Sequence, residues 1–260
     1  MDTNKNSYTF GFSAIMVIIV AVLLSLTYIL LKPFQDQNIE LEKKQNILKS
    51  IGIMVDRESS ESEYSNYIKE ELVVNHLGEI EEGSAFDVKL KYELKKDILE
   101  QSLPLYIAEV AGEQKYIIPL RGKGLWGPIW GFIALNDDFN TISAAVFDHK
   151  AETPGLGAEI NTAPFQDQFN GKTILEDDKF VSISVVKGGA DDGDNHAVDG
   201  ISGGTITSVG VEKMIKERLR RYLPYFKKIS VAIEVEKVIN FVDQDIDTNS
   251  NVIESKINYE

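Results

Sequence analysis

The sequence predicts an α+β protein, in which a mostly antiparallel sheet domain follows one N-terminal transmembrane helix. The stretch Ser7–Leu31 carries no charged side chain, which predicts the membrane span. Most of the remaining chain consists of short apolar or alternating runs bounded by turn residues, which is typical of strands. One longer run near the C terminus has helical periodicity instead.

The membrane span is predicted at residues 9–31, behind a tail of residues 1–8. A helix of this length exceeds the about 20 apolar residues that are needed to cross a bilayer. A cleaved signal peptide normally has an apolar region of about 7–15 residues and a small-x-small cleavage site. The sequence "SLTYILLKPF" offers no such site, so we interpret the span as an uncleaved anchor.

The charges beside the span do not decide its orientation. Lys5 precedes the span, whereas Lys32, Lys43, Lys44 and Lys49 follow it, which by the positive-inside rule places the C-terminal domain in the cytoplasm. Acidic residues alternate with these lysines, and large domains cross membranes largely regardless of charge. The local sequence therefore leaves the orientation open.

Residues 32–66 are interpreted as a juxtamembrane helix and a linker. Apolar residues at near-helical spacing, such as Leu41 and Leu48, predict a helix that ends near Gly52. The segment 57–66 is polar and rich in turn residues, which predicts a loop or hinge.

The domain predicted at residues 67–260 begins with strands. The sequence "AGEQ" predicts the turn of one hairpin and "NDDFN" that of another. A helix is predicted from about Ser208 to Tyr222, then a closing strand at 229–242, and a polar tail from Asp243 that frays. The other predicted strands are 71–80, 86–94, 103–110, 115–120, 127–135, 141–148 and 179–186.

Composition excludes several classes of function. The chain has 27 basic and 41 acidic residues among 260, and its net charge of −14 argues against nucleic-acid binding. It has no cysteine, which excludes thiolate metal sites and iron–sulfur clusters held by this chain. The histidines His76, His149 and His196 are scattered without metal-ligand spacing. We therefore predict no metal site.

Two local matches do not predict catalysis or metal binding. Gly200–Gly204 fits the G-x-S-x-G pattern of serine hydrolases, but an acidic loop precedes Ser202 and no histidine follows it. The sequence "DDGDNHAVDG" lacks the glycine at position six and the closing glutamate of a calcium loop. No catalytic residue is predicted.

The loop before the C-terminal helix combines glycines with three hydroxyl residues, Thr205, Thr207 and Ser208. Glycines such as Gly203 and Gly204 let the backbone approach a bound group closely. The first turn of the helix offers unpaired N–H groups, which form a ready anion site. An ordinary N-cap by Thr207 or Ser208 explains the same pattern, so spacing alone leaves both interpretations open.

The sequence "DGISGGT" resembles the flavinylation motif of proteins that carry covalent FMN. In that motif an aspartate and two residues precede Ser or Thr, Gly, usually Ala, and the acceptor Thr or Ser. The resemblance implies that Asp199, Ser202 and Gly203 belong to the cofactor site. It also implies that a dedicated flavin transferase esterifies the FMN phosphate to Thr205. Gly204 departs from the usual alanine.

Thr205 is the predicted acceptor among the three hydroxyl residues. It follows the glycine pair directly, so its hydroxyl is expected to remain accessible, and the motif ends on it. Thr207 and Ser208 lie deeper in the helix start, where their hydroxyls can serve capping or the phosphate oxygens. Thr207 is therefore included among the cofactor-binding residues.

Three further stretches resemble parts of the same FMN-binding domain. In "HKAETPGLGAEI", Pro154 and Gly155 predict a rigid turn. The resemblance places flavin-ring contacts in "GKGLWGPIWGFIAL", and "VVKGGA" offers a lysine that can balance negative charge. The cofactor-binding residues predicted from these stretches are Leu125, Trp126, Glu152, Thr153, Leu156, Gly157, Lys187 and Gly188.

Taken in order with the span and "KKQNILKSIGI", these stretches resemble the C subunits of sodium-translocating NADH:quinone oxidoreductases. The resemblance implies a single-pass electron-transfer subunit with covalent FMN in a bacterial inner membrane. It implies partner membrane, flavin and iron–sulfur subunits in a complex that oxidises NADH, reduces quinone and exports sodium. It also implies a periplasmic C-terminal domain, against the charge count.

Two alternatives remain. The G subunits of Rnf complexes share the domain and both main motifs, although "KQNIL" and the tryptophan-containing run favour the first family. A membrane-anchored binding or assembly module without flavin is the other alternative, and it predicts a colourless domain.

Overall fold

The computed structural model describes residues 6–257, which contain a six-stranded antiparallel sheet. The strands are β1 (Ile68–Val74), β2 (Ile80–Glu81), β3 (Leu103–Val110), β4 (Glu113–Lys123), β5 (Pro128–Leu135), β6 (Ile142–His149), β7 (Leu175–Glu176), β8 (Lys179–Phe180), β9 (Ser184–Val186) and β10 (Ala197–Asp199). The order in the sheet is β2-β1-β3-β4-β5-β6. Ala111 and Gly112 both have positive φ, 53° and 84°, in the two-residue turn between β3 and β4. The predicted α+β class with a mostly antiparallel sheet is confirmed.

The helices cover both faces of this sheet. Ile118 and Leu120 of β4 face the C-terminal helix, whereas Ile117 faces the N-terminal helix and packs in one cluster with Ile47 and Leu48. This alternation along one strand gives the sheet two buried faces. The helices are α1 (Asn6–Lys49), α2 (Ser60–Tyr67), α3 (Leu90–Glu93), α4 (Ala163–Gln166) and α5 (Thr205–Ile257), with 3₁₀ turns at Ile98–Glu100, Gly157–Asn161 and Asp167–Phe169.

The membrane span and the juxtamembrane helix form one continuous helix, α1, which includes Pro33. Within the described chain, α1 is the one helix that is long and apolar enough to cross a membrane. It ends at Lys49, and the chain then turns at Gly52, which has a φ of 81°. The Ile53 N–H donates to the Leu48 carbonyl at 3.0 Å, which closes the helix end. The predicted end near Gly52 is confirmed.

The strand predicted at 86–94 is wrong, because this segment forms turns and the short helix α3. Strand β1 pairs directly with β3, so the segment lies outside the sheet ladder. Its alternating apolar residues instead serve two clusters: Phe86 and Val88 pack on the α1 side, whereas Leu90 packs on the α5 side. The alternation of apolar and polar residues therefore arises here because the segment passes from the α1 side of the protein to the α5 side, and not because it forms a strand.

Two other segments differ from the predictions. The predicted loop 57–66 contains most of helix α2, whose Tyr64 is buried beside α1. The predicted strand 179–186 is interrupted by Ser182, whose φ of 70° is incompatible with an extended strand. It is divided into β8 and β9.

The closing strand predicted at 229–242 is also wrong, because this segment continues α5. Ile229 and Ile233 are four residues apart and pack against the core, as helical spacing requires. Val231 and Val235 are more than half exposed. The valines produced the alternating pattern without contributing to the core.

The chain ends differ from the predicted tails. Helix α1 already begins at Asn6, within the predicted tail 1–8, and residues 1–5 lie outside the described residues. The polar segment from Asp243 continues α5 to Ile257, whereas a frayed tail was predicted, and residues 258–260 lie outside the described residues.

Candidate functional site

Helix α5 begins at Thr205, three residues before the predicted start at Ser208. The Gly204 carbonyl accepts the Ser208 N–H at 2.9 Å, which is the first helical hydrogen bond. Gly203 has a φ of 72°, and a Cβ at this position would lie 2.5 Å from Leu156 Cδ2. The positive φ is the constraint that favours glycine at 203, because the end of the exposed Leu156 side chain can move aside. The loop is therefore shaped by its glycines to bring Leu156 against the helix start.

The three hydroxyls of the loop have different environments. Thr207 is 1% exposed, and its Oγ1 donates to Glu152 Oε2 at 2.6 Å. Ser208 is 3% exposed, and its Oγ accepts the Ile201 N–H at 3.0 Å. Thr205 is exposed, and among the described residues its hydroxyl makes no hydrogen bond to protein. Thr205 is thus the hydroxyl of the three that a modifying enzyme can reach.

Glu152 is buried beneath this loop and joins it to two other segments. Its Oε1 accepts the Trp126 N–H at 2.9 Å, and its Oε2 accepts the Thr207 hydroxyl. A Cβ at Gly124 would lie 2.5 Å from Oε1, and a Cβ at Gly157 would lie 2.6 Å from Oε2. The glycines thus make room for the carboxylate. Because protein groups occupy both oxygens, the geometry favours a positioning role for Glu152.

An exposed group of apolar side chains surrounds the helix start, and we call it the apolar patch. Trp126 is connected to the site through its backbone bond to Glu152, and Leu156 through its contact at Gly203. Ile206 and Val209 lie on the exposed side of the first turns of α5, and sequence reasoning missed both. Val209 is three residues from Ile206 and four from Thr205, and this spacing indicates neighbouring positions on the helix surface. Such a surface can cover a flat, apolar ligand. The apolar patch comprises Leu125, Trp126, Leu156, Ile206 and Val209, which are 40–67% exposed.

The turn in "HKAETPGLGAEI" forms as predicted. Leu156 N–H donates to the Thr153 carbonyl at 3.1 Å, and Gly155 follows Pro154 with a φ of 75°. This arrangement is a type II turn. It projects Leu156 toward the loop, while the side chains of Thr153 and Ser202 are exposed.

Asp199 organises the loop that contains Lys187 and Gly188. Strands β9 and β10 pair in parallel, which places the two loops side by side. The Asp199 carboxylate accepts the Ala190 N–H at 2.8 Å, and the Asp199 N–H donates to Gln168 Oε1 at 2.8 Å. Lys187 is exposed and forms no ion pair within the described chain. Sequence reasoning missed Gln168, for which no local pattern exists.

The geometry fits a flavin phosphate on the loop. It combines an exposed hydroxyl, a glycine-shaped helix start with free N–H groups, an unpaired lysine nearby in the fold and an apolar patch for the ring. An anion at the start of α5 is also favoured by the helix dipole.

Comparison with known proteins finds an FMN-binding domain in this part of the chain. Residues 124–220 match the family model of the FMN-binding domain. The C subunit of the Na(+)-translocating NADH-quinone reductase of Vibrio alginolyticus is 34% identical over 233 residues, which cover 82% of this chain and 90% of that protein. The corresponding protein of Pasteurella multocida is 30% identical over 255 residues, which cover 88% of this chain and 98% of that protein.

Two solved structures resemble the fold. The crystal structure of the C subunit of the Na(+)-translocating NADH-quinone reductase from Parabacteroides distasonis has a TM-score of 0.71 at 44% identity, and the match covers 75% of this chain and 96% of that chain. Shewanella oneidensis NqrC has a TM-score of 0.65 at 25% identity and covers 74% of this chain and 98% of that chain.

Proposed function

We propose, from the premise that this chain belongs to the family of Na(+)-translocating NADH-quinone reductase C subunits, that Thr205 carries FMN through a phosphoester bond. The chain is an FMN electron-transfer subunit of that complex, anchored in the membrane beside the other subunits. The proposal adds the point of attachment, the enzyme that makes it and the orientation of the domain.

The exposure of Thr205 carries the proposal. The Thr207 and Ser208 hydroxyls are buried and hydrogen-bonded, whereas that of Thr205 is exposed and unused by the described protein. In the modification, Thr205 Oγ forms a bond to the flavin phosphorus, loses its proton and displaces the leaving group of an activated flavin donor. A flavin transferase supplies that donor and the base.

The surrounding residues would hold the cofactor in defined roles. The N–H groups at the start of α5 and the Lys187 ammonium would face the phosphate charge, and the apolar patch would cover the ring. FMN supplies the redox chemistry by accepting and donating electrons. The protein positions the ring at an exposed surface, which a redox centre of another protein in the complex can approach.

We further propose that the domain is periplasmic. The family resemblance supports this orientation, and the lysines after the span oppose it. A covalent bond has a clear advantage outside the cytoplasm, because FMN that dissociates there could not easily be replaced.

The decisive experiment is co-expression of the full chain with a flavin transferase. The protein is then denatured, washed free of loose ligand and examined by visible spectroscopy and peptide mass spectrometry. We expect a flavin spectrum and one FMN on the peptide that contains Thr205. A colourless protein would favour the flavin-free binding or assembly module.

A further inference from the structure

A cavity lies on the face of the sheet opposite Thr205, between α1 and the sheet. It has a volume of about 760 Å³, within the range of about 300–1,000 Å³ of small-molecule sites. Ile39 and Lys43 of α1 form one wall, Phe86 another, and Arg121 and Trp130 of the sheet the third. It is separate from the flavin site, because α5 packs on the other face.

The cavity opens at the level of the lipid headgroups. The apolar surface of α1 continues to Phe34, which is 65% exposed, and both Lys32 and Asp36 line the cavity. Headgroups extend about 5–8 Å beyond the hydrocarbon core on each side. Asp36 is two residues beyond Phe34, or about 3 Å at 1.5 Å per residue. Lys43 is nine residues beyond Phe34, or about 14 Å at 1.5 Å per residue, and its side chain points back toward the helix N terminus, here toward the headgroup layer.

The half-buried side chains that line this cavity include two cations without a carboxylate partner. Lys43 Nζ donates to the Phe86 carbonyl at 2.5 Å and lies 4.0 Å from the centre of the Phe86 ring. Neither Lys43 nor Arg121 forms an ion pair within the described chain. Burial lowers the pKa of Lys43 to about 8, although Glu71 and other nearby carboxylates raise it. The Glu71 oxygens accept from the Tyr64 hydroxyl and the Phe86 N–H.

The acidic side chains of the same cavity form no ion pair with these cations within the described chain. They are exposed to solvent, whereas Lys43 and Arg121 are half-buried. A partly desolvated cation gains most from an anion that is brought into the same environment. The acidic residues are Asp36, Glu40, Glu42 and Asp87.

We propose that this cavity binds an anionic phospholipid, with its phosphate at Lys43 and Arg121 and its glycerol region against Phe86 and Trp130. The acyl chains follow the exposed apolar surface of α1 into the bilayer. Tyr92, which also lines the cavity and is 55% exposed, has the amphipathic character of residues at membrane interfaces. The proposal does not depend on flavin attachment or on which side of the membrane the domain lies.

Native mass spectrometry of the delipidated full chain tests the proposal, with phosphatidylglycerol or phosphatidylcholine added at equal concentration. We expect one tightly retained phosphatidylglycerol and at least about tenfold weaker retention of phosphatidylcholine, which corresponds to about 1.4 kcal/mol. The double variant Lys43→Gln/Arg121→Gln should lose this preference. Lys43→Arg, which keeps the charge, should retain it. The control Lys95→Gln changes an exposed lysine outside the cavity and should behave as the unmodified chain.

A second measurement locates the lipid. The chain has 2 tryptophans, so Trp126→Phe leaves Trp130 as the reporter, and the protein is made without flavin transferase to avoid quenching by flavin. Phosphatidylglycerol should shift the Trp130 emission, and Lys43→Gln/Arg121→Gln should abolish the shift. Equal retention of both lipids, an unchanged preference in the double variant or an unmoved Trp130 emission would each overturn the proposal. Displacement of the lipid by inorganic phosphate at the same concentration would assign the site to a free anion and overturn it too.

Discussion

The Thr207 hydroxyl donates a hydrogen bond of 2.6 Å to the Glu152 carboxylate and joins the first turn of α5 to a segment 55 residues earlier. The other carboxylate oxygen accepts the Trp126 N–H. One buried side chain therefore connects the three segments that form the proposed flavin site. This connection also removes the Thr207 hydroxyl from competition with Thr205.

The choice of acceptor hydroxyl is directly testable. Thr205→Ala should abolish covalent FMN, because the exposed hydroxyl is lost. Thr207→Ala and Ser208→Ala should retain it, and Thr205→Ser should still be modified, since a primary hydroxyl keeps the nucleophile. In-gel flavin fluorescence and peptide mass spectrometry after co-expression with a flavin transferase measure the outcome. Flavin on Thr207, or undiminished labelling of Thr205→Ala, contradicts the assignment.

Glu152→Ala should lower the free energy of unfolding by about 1–3 kcal/mol, because the buried Thr207 hydroxyl and the Trp126 N–H lose their acceptor. Flavin should stay attached, with a changed spectrum or midpoint potential as the loop shifts. Urea unfolding of Glu152→Ala, Thr207→Val and the double variant gives their coupling energy. The control Trp126→Ala removes a 67% exposed side chain and should change the flavin spectrum with little loss of stability. Additive effects of Glu152→Ala and Thr207→Val would show that the bond does not contribute.

The two adjacent glycines should differ in their tolerance of alanine. Gly203→Ala places a Cβ at a φ of 72° and 2.5 Å from Leu156, so we expect a loss of about 1–3 kcal/mol and reduced flavinylation. At Gly204 φ is not positive, and the nearest contact is the Ile201 side chain at 2.8 Å. Gly204→Ala should therefore cost less. Thermal unfolding of the two alanine variants shows which of them loses more stability. Equal losses of stability at the two positions would contradict this account.

The soluble domain should need the last turns of α1 but not the membrane span. A fragment of residues 33–260 keeps Ile47 and Leu48, which are fully buried against the sheet, and should fold. A fragment of residues 54–260 loses both, at about 2–5 kcal/mol for each deleted side chain, and should aggregate or unfold. Circular dichroism and size-exclusion chromatography compare the two fragments. Equal folding of both would show that the contact with α1 is dispensable, and misfolding of both would show that the span or partner proteins are part of the fold.

A reporter joined to Glu260 should be active in the periplasm. The family resemblance is the reason for this expectation, while the lysines that follow the span predict the cytoplasm. Alkaline phosphatase is active in the periplasm, and green fluorescent protein fluoresces in the cytoplasm, so the paired fusions give opposite readouts. The same reporters joined before the span serve as the control. Cytoplasmic fluorescence at Glu260 would overturn the proposed orientation.

Several features of this protein can be predicted from local sequence, because local interactions produce them. An uncharged apolar run predicts the span whatever the rest of the chain does. The hairpins of β3–β4 and β5–β6 follow from apolar runs separated by short turns. The order of the glycines and hydroxyls in "DGISGGT" is itself the motif that ends on Thr205.

The tertiary structure decided the features that depend on which surfaces meet. The alternation of Val231, Ile233 and Val235 predicts a strand, but α5 is already helical there and buries only Ile233 of the three. The bond between Glu152 and Thr207 joins residues that no local pattern relates. Local sequence encodes the periodicity of a segment, whereas burial of a given side chain depends on the partner surface that the folded chain brings to it.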